Sequence, residues 1–159
     1  MDKSSSKKLA PSIIGVWRLG SAIGYLFLFG LPIAYYAIFG WLNVHFWLLT
    51  AVSLFSVSLW YSAVFVLPPI TWKRWRYSIN QNEIDLLRGV IVRKETLIPL
   101  SRVQHVDTRQ GPLLRWFNLS SVTISTAATT HEIPGLDVVI ADRVRREIST
   151  YARLADDDV

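Results

Sequence analysis

The chain has 159 residues, 51% of them hydrophobic, and a net charge of +5. This length allows an apolar region and one small domain, and the absence of cysteine excludes disulfides and thiolate metal sites. The positive charge lies mainly near the N-terminus and around residue 74, which favours attraction to anionic lipid headgroups over nucleic-acid binding.

The two ends of the chain are polar. Residues 1–16 are predicted to form a basic N-terminal tail, with the first ten residues disordered because serines and lysines dominate them. Residues 156–159 are predicted to be a solvated acidic tail.

Residues 17–67 predict a transmembrane hairpin of two α-helices. The stretches 19–39 and 46–67 contain no Asp, Glu, Lys or Arg, and at about 1.5 Å per residue each is roughly 30 Å long, the thickness of the hydrocarbon layer. A pair of buried helices in a soluble protein is disfavoured because such helices keep a polar face. A cleaved signal peptide is disfavoured because a second apolar stretch follows at once. Pro32 is expected to bend the first helix.

Basic residues flank the outer ends of the hairpin, and none lies in the turn at residues 40–45. This asymmetry predicts a multi-pass protein of the cell membrane with both termini in the cytoplasm. Small residues in both spans serve packing within the hairpin or against a partner protein. The predicted membrane-surface basic cluster consists of Lys7, Lys8, Arg18, Lys73, Arg74 and Arg76.

A Pro-rich connector at residues 68–71 is predicted to lead into a cytoplasmic domain over residues 72–155. Two-residue alternation predicts strands at 72–79, 83–88, 90–100, 102–109, 122–126 and 130–133, with a tight Arg88-Gly89 turn and a turn or short helix at 113–119. The period then becomes helical, with Ile140, Val144 and Ile148 on one face and Asp137 as N-cap. This order is typical of a mainly-β PH-like barrel capped by a C-terminal helix.

Three segments resemble the bacterial PH-domain membrane proteins of the YdbS-like group. They are Ile98 to Val106 (IPLSRVQHV), Gln110 to Leu119 (QGPLLRWFNL) and Ile133 to Leu136 (IPGL). Asn118 replaces a usual glycine, and we expect the turn to survive because asparagine tolerates a left-handed backbone. Residues 127–129 also lack a common glycine, which leaves the shape of that hairpin open. The resemblance implies a helical hairpin followed by a PH-like domain, and no established enzymatic activity, cofactor or ligand; phosphoinositide binding by eukaryotic PH domains does not transfer with the fold.

Two surfaces are candidate sites. The polar residues around the fourth strand have two interpretations. They form a polar groove for a peptide or headgroup, or they are ordinary solvated arginines beside a glutamine that hydrogen-bonds to backbone groups at the barrel rim. The apolar residues of the 113–119 segment either close the barrel against the C-terminal helix or contact the membrane interface or a partner. The candidate residues are Arg102, Gln104, Arg109, Gln110, Arg115, Trp116 and Phe117.

Catalytic patterns are weak. His105 and Asp107 share one side of a strand, but no nucleophile or oxyanion-hole motif accompanies them, and the three histidines lack metal-ligand spacing. We therefore expect a non-enzymatic module without cofactor or small-molecule substrate, which binds or scaffolds a membrane protein or the inner-leaflet surface. The expected partners are the lipid bilayer and another membrane protein, with a related PH-domain protein among the candidates. The alternative is an accessory subunit whose transmembrane hairpin carries the partner contact.

Overall fold

The computed structural model describes residues 6–39 and 46–157 and divides the chain into two compact units. One unit, here called the apolar unit, is Trp17–Pro69. The other, the β unit, joins Met1–Val16 to Ile70–Val159. In sequence, the apolar unit is thus an insertion into the β unit.

Helices build the apolar unit and extend into the ends of the β unit. They are α1 (Ile13–Gly24), a 3-10 turn (Leu26–Phe29), α2 (Gly30–Phe39), α3 (Phe46–Tyr61), a π-helical turn (Ser62–Val66) and α4 (Leu67–Arg74). Because the π-helical turn links α3 to α4, one helix runs from Trp47 to Arg74, over 28 residues. Within the described residues, this is the helix that is long and apolar enough to cross a membrane, by length and composition.

The first predicted span is less regular than expected. The α-helix stops at Gly24, and α2 begins at Gly30 after the 3-10 turn, so the irregularity precedes Pro32. Pro32 lies in the first turn of α2, where its missing N–H costs nothing. Two spans are therefore not confirmed by helix length, and the turn predicted at residues 40–45 lies outside the described residues.

The predicted Pro-rich connector is instead helical. Residues 68–71 belong to α4, which continues to Arg74. The Leu67 N–H donates to the Ser62 carbonyl five residues back, the spacing of a π-helical turn. Such a turn displaces the carbonyls that a proline ring would otherwise crowd, which explains how Pro68 and Pro69 fit inside a helix.

The β unit has the predicted mainly-β PH-like architecture. An antiparallel sheet contains β1 (Arg76–Ile79), β2 (Glu83–Arg88) and β3 (Lys94–Pro99), and a second contains β4 (Val103–Arg109), β5 (Leu119–Thr126) and β6 (Thr130–Asp137). A 3-10 turn (Leu100–Arg102) joins the sheets, and α5 (Pro112–Trp116) connects β4 to β5. The C-terminal helix α6 (Val138–Asp157) follows β6.

The core lies between these sheets and α6. Its fully buried side chains include Tyr77, Ile84, Ile124 and Ile148, so the two-residue alternation predicted the inward residues of β1 and β2 correctly. The Val139 N–H donates to Asp137 Oδ1 over 3.0 Å, which confirms the N-cap. The predicted helix face needs one change, because Ile140 is exposed and Ala141 is buried in its place.

The connections differ from prediction at one hairpin. A two-residue Arg88-Gly89 turn was expected, whereas residues 89–93 form a loop between β2 and β3, with Gly89 at φ +115°. Asn118 has φ +53°, so the expected left-handed turn is confirmed. The 127–129 connection needs no glycine, because the Thr126 N–H donates to the Thr129 carbonyl over 2.9 Å.

The N-terminal segment, residues 6–16, is part of the β unit and not a disordered tail. The Lys7 N–H donates to the Tyr77 carbonyl over 2.7 Å, and the Tyr77 N–H donates back over 3.0 Å. Leu9 and Ile13 are 2% and 1% exposed. The prediction of disorder is therefore wrong for residues 6–10, because the β unit buries Leu9 despite the lysines and serines around it. Residues 1–5 lie outside the described residues.

Candidate functional site

An open groove of about 1010 Å³ lies where the two sheets meet. The end of β3, the start of β4 and the β5–β6 turn form its walls. In the pairing of the described strands, β3 bonds to β2 and β4 bonds to β5, so both are edge strands. Edge strands present backbone N–H and C=O groups to any chain that approaches them. The groove therefore lies between two edge strands and is lined by side chains that include Leu97, Arg102, Gln104, His105, Ala128 and His131.

Arg102 and Gln104, the residues that sequence placed together, both line this groove. They do not share a regular strand face as expected, because Arg102 ends a 3-10 turn and Gln104 lies in a β-bulge. Val103 opposes Thr126 and His105 opposes Ser125, which leaves Gln104 without a cross-strand partner in the register. Bulges redirect side chains and are frequent near binding sites.

One arginine and two histidines line the groove. His131 is half-buried, and its pKa is lowered by burial first and then by the charges of Arg88 and Lys94. The residues that line the groove include Arg102 but no Asp or Glu. Burial and these charges thus disfavour the protonated form of His131.

Arg109 and Gln110 lie at the opposite end of β4, roughly 20 Å away for a strand of this length. Gln110 Nε2 donates to the Leu119 carbonyl over 2.9 Å, and Ser120 Oγ donates to the Arg109 carbonyl over 3.0 Å. Both contacts fasten the β4–β5 connection. The structure therefore separates these two residues from the groove.

Arg115, Trp116 and Phe117 lie at and just after the end of α5. Trp116 is 75% exposed and Arg115 is exposed, whereas Phe117 is half-buried. A Cβ atom at Gly15 would lie 2.6 Å from the Phe117 ring, so Phe117 packs against the start of α1. Phe117 therefore contacts the N-terminal segment, whereas packing of the 113–119 segment on the C-terminal helix and its contact with the membrane interface or a partner stay predictions.

The predicted basic cluster divides between the two units. Within the β unit, Lys8 Nζ lies 5.9 Å from the centre of the Trp72 ring, and Arg74 Nη1 donates to the Val90 carbonyl over 2.7 Å. Arg76 Nη1 donates to the Trp75 carbonyl, also over 2.7 Å. Arg18 belongs to the apolar unit and lies over the Phe65 ring at 5.7 Å.

Sequence reasoning missed the loop of residues 89–93, because it extended the third strand back to residue 90. Ile91 is 94% exposed and Val92 is 78% exposed. The signal was present in the sequence: Val90, Ile91 and Val92 are consecutive apolar residues, which breaks the alternation of a half-buried strand.

His105 and Asp107 are both exposed on β4, and Asp107 lies outside the groove. Across residues 6–39 and 46–157, no group of three or more His, Asp or Glu side chains could hold a metal ion.

Comparison with known proteins identifies the family. The profile of the family described as "Bacterial PH domain" matches residues 12–152. The transmembrane protein YdbS of Bacillus subtilis (strain 168) is 40% identical over 166 aligned positions, which cover 100% of both chains. The transmembrane protein YdbT of the same organism is 26% identical over 102 positions, 62% of this chain and 20% of YdbT. No solved structure matches significantly. The chain therefore belongs to the bacterial PH-domain family, as a YdbS-like member.

Proposed function

We propose that this protein is a non-enzymatic, membrane-anchored binding module. In this proposal the apolar unit crosses the cell membrane as a helical hairpin, and the groove of the β unit binds a segment of another membrane protein at the cytoplasmic surface. Membrane localisation is supported by the apolar helix Trp47–Arg74 and by the name of YdbS, a transmembrane protein.

The proposal rests on one observation, that the N-terminal segment belongs to the β unit. Residues 6–16 and 70–157 form one compact unit, so the chain leaves this unit after Val16 and returns to it at Ile70. A folded unit lies on one side of a membrane. If the helix Trp47–Arg74 crosses the bilayer once, the residues between Val16 and that helix must cross it too. The compact β unit therefore supports two crossings even though the first segment is irregular.

Contacts inside the apolar unit fit a hairpin. The rings of Phe29 and Trp60 lie 6.2 Å apart in an edge-to-face arrangement. Residues of α2 and α3 also line a common apolar cavity of about 240 Å³. Helices in a lipid bilayer associate through such side-by-side packing of their side chains. The lysines and arginines on the β-unit side favour a cytoplasmic location for both termini.

The groove fits an extended peptide. A strand added along the free edges of β3 or β4 would gain backbone hydrogen bonds, and Arg102, Gln104 and His131 would contact its side chains or carboxylate. Anchoring raises the effective concentration of the β unit near membrane partners, so weak individual contacts suffice. A related PH-domain protein is among the candidate partners.

The proposal is tested with a photo-crosslinking amino acid at position 104 of the full-length protein in native membranes. We expect a crosslinked product with a membrane protein. The same amino acid at Arg153, exposed on α6, is the matched control and should give none. Absence of a product specific to position 104 would contradict groove binding.

A second candidate function is an accessory subunit whose hairpin carries the partner contact. The apolar cavity lined by Pro32, Tyr35, Leu48, Leu49 and Val52 favours it, because a partner's side chain could enter this cavity. A crosslinker at Val52 distinguishes the two functions. Products from position 52 without products from position 104 would support the accessory subunit.

A further inference from the structure

We infer that the β2–β3 loop, residues 89–93, is a second membrane contact that inserts its tip into the surface of an anionic lipid bilayer. The inference rests on the membrane anchoring proposed above and is independent of the groove. Ile91 and Val92 form the tip and are 94% and 78% exposed. Two adjacent β-branched apolar side chains at such exposure favour an interaction site over an ordinary solvent-exposed loop.

The register of the first sheet sets the direction of the loop. The helix Trp47–Arg74 ends one residue before Trp75, and β1 starts at Arg76, opposite Leu87 of β2. β1 therefore runs away from the helix end, and β2 returns to it. The hydrogen bond from Arg74 Nη1 to the Val90 carbonyl closes this return. The loop is thus hydrogen-bonded to Arg74, the last residue of the apolar helix Trp47–Arg74.

The charges around the loop indicate which kind of surface it contacts. Three basic residues flank the apolar tip: Arg88, Arg93 and Lys94. Three more lie at the adjoining helix end: Lys73, Arg74 and Arg76. In residues 73–76 and 88–95 the acidic residue is Glu95, so positive charge dominates. The lowered pKa of His131, to which Arg88 and Lys94 contribute, is consistent with a positive charge that the surroundings leave unneutralised. An apolar tip inside a basic ring complements acyl chains beneath anionic headgroups.

Among the described residues of the β unit outside this loop, Trp116 is the most exposed large apolar side chain, followed by Val139 at 67%. It is 75% exposed, but Arg115 is its basic neighbour in sequence, and Phe117 beside it is already packed on Gly15. The loop has two apolar residues and a larger basic ring. It is therefore the stronger candidate for lipid contact.

The absence of cysteine in the chain permits a direct test. A single cysteine replaces Ile91 in the full-length protein, which is labelled with an environment-sensitive fluorophore and reconstituted into vesicles that contain lipid-attached quenchers. Gln81→Cys is the matched control, because Gln81 is exposed in the β1–β2 turn, at the other end of β2. A strand of this length separates the two positions by roughly 20 Å.

We expect the label at position 91 to be quenched by the lipids severalfold more than the label at position 81. Quenching should increase when phosphatidylglycerol replaces phosphatidylcholine. It should decrease at high salt and in the background Arg93→Glu plus Lys94→Glu. A soluble quencher should reach position 81 more readily than position 91.

Equal lipid quenching at both positions would overturn the inference. A label at position 91 that is shielded from both quenchers would also overturn it, since this result means a contact between copies of the chain. Resistance of the reconstituted protein to alkaline extraction is measured in parallel. A chain that is extracted contradicts the proposed anchoring, whereas an inserted chain with unquenched position 91 contradicts the loop contact alone.

Discussion

At Gly135, the N-terminal segment and β6 pack so closely that a side chain has no space. Gly135 has φ +60°, and a Cβ added there would lie 2.7 Å from the Cβ of Ile13. Its carbonyl accepts the Ala10 N–H over 3.1 Å. The residue thus needs both the left-handed backbone that glycine tolerates and the absence of a side chain.

Gly135→Ala should lower the free energy of unfolding by about 2–5 kcal/mol, because it adds backbone strain and a clash with Ile13. Gly111→Ser is the control: Gly111 has φ −73°, has open space around it, and precedes α5 where serine is favoured. Thermal unfolding of the full-length variants in detergent measures both. Equal melting temperatures would contradict the close packing.

The pKa of His131 reports the positive charge of its neighbours. Because Arg88 helps to lower its pKa, Arg88→Gln should raise that pKa toward the ordinary 6.5, while Arg143→Gln on α6 should leave it unchanged. NMR titration of the imidazole signals, assigned with His131→Gln, reports the shift. A pKa unaffected by Arg88→Gln would show that burial alone depresses it.

The same shift has a consequence for stability. The folded protein binds a proton at His131 less readily than the unfolded chain, so the contribution of this group to the free energy of unfolding is lost as the pH falls below about 6.5. Urea unfolding at several pH values, with His131→Gln as the control that lacks this dependence, checks the sign.

Among the elements, the N-terminal segment differs most from the role that its sequence predicted. Trp72 Nε1 donates to the Leu9 carbonyl over 3.0 Å, and Lys7 pairs with Tyr77 next to β1. The segment therefore forms an isolated antiparallel bridge beside β1 and contributes Leu9 and Ile13 to the core. Sequence alone could not predict this, because the partners are more than 60 residues distant and the segment has no periodicity.

Leu9→Ala should destabilise the β unit by about 2–5 kcal/mol, the usual cost of removing a fully buried leucine side chain. Leu154→Ala is the matched control, since Leu154 is 56% exposed near the end of α6 and should change stability little. Chemical unfolding followed by tryptophan fluorescence compares them. Similar midpoints would restore the prediction of a disordered tail.

The strands and helices of the β unit were largely predictable, whereas the surfaces were only partly so. Alternation around Ile84 and Leu86 and the helical period of α6 predicted the core, because burial imposes these periods. Gln104 lines one groove together with Arg102, as their grouping predicted, although the bulge at Gln104 was not foreseen. Ile91 was missed because exposure in a loop has no period, and α4 was missed because prolines usually end helices.

For the whole molecule, the division into units predicts how a soluble form must be made. A chain that begins at Ile70 lacks residues 6–16 and should aggregate or remain unfolded. A chain in which a flexible Gly/Ser linker joins Val16 to Ile70 should fold, because it keeps every part of the β unit. Circular dichroism and size-exclusion chromatography distinguish them. A stable, monomeric chain that starts at Ile70 would contradict the structural role of the N-terminal segment.

The interrupted β unit also determines the order of events during synthesis. Ala10 leaves the ribosome 125 residues before its partner Gly135, a delay on the order of ten seconds at usual translation rates. During this interval Leu9 and Ile13 have no core to enter, while the apolar segment between them and their partners is already available for insertion. If the apolar segment inserts as proposed, we expect insertion to precede closure of the β unit, and closure then brings the N-terminal segment to β6.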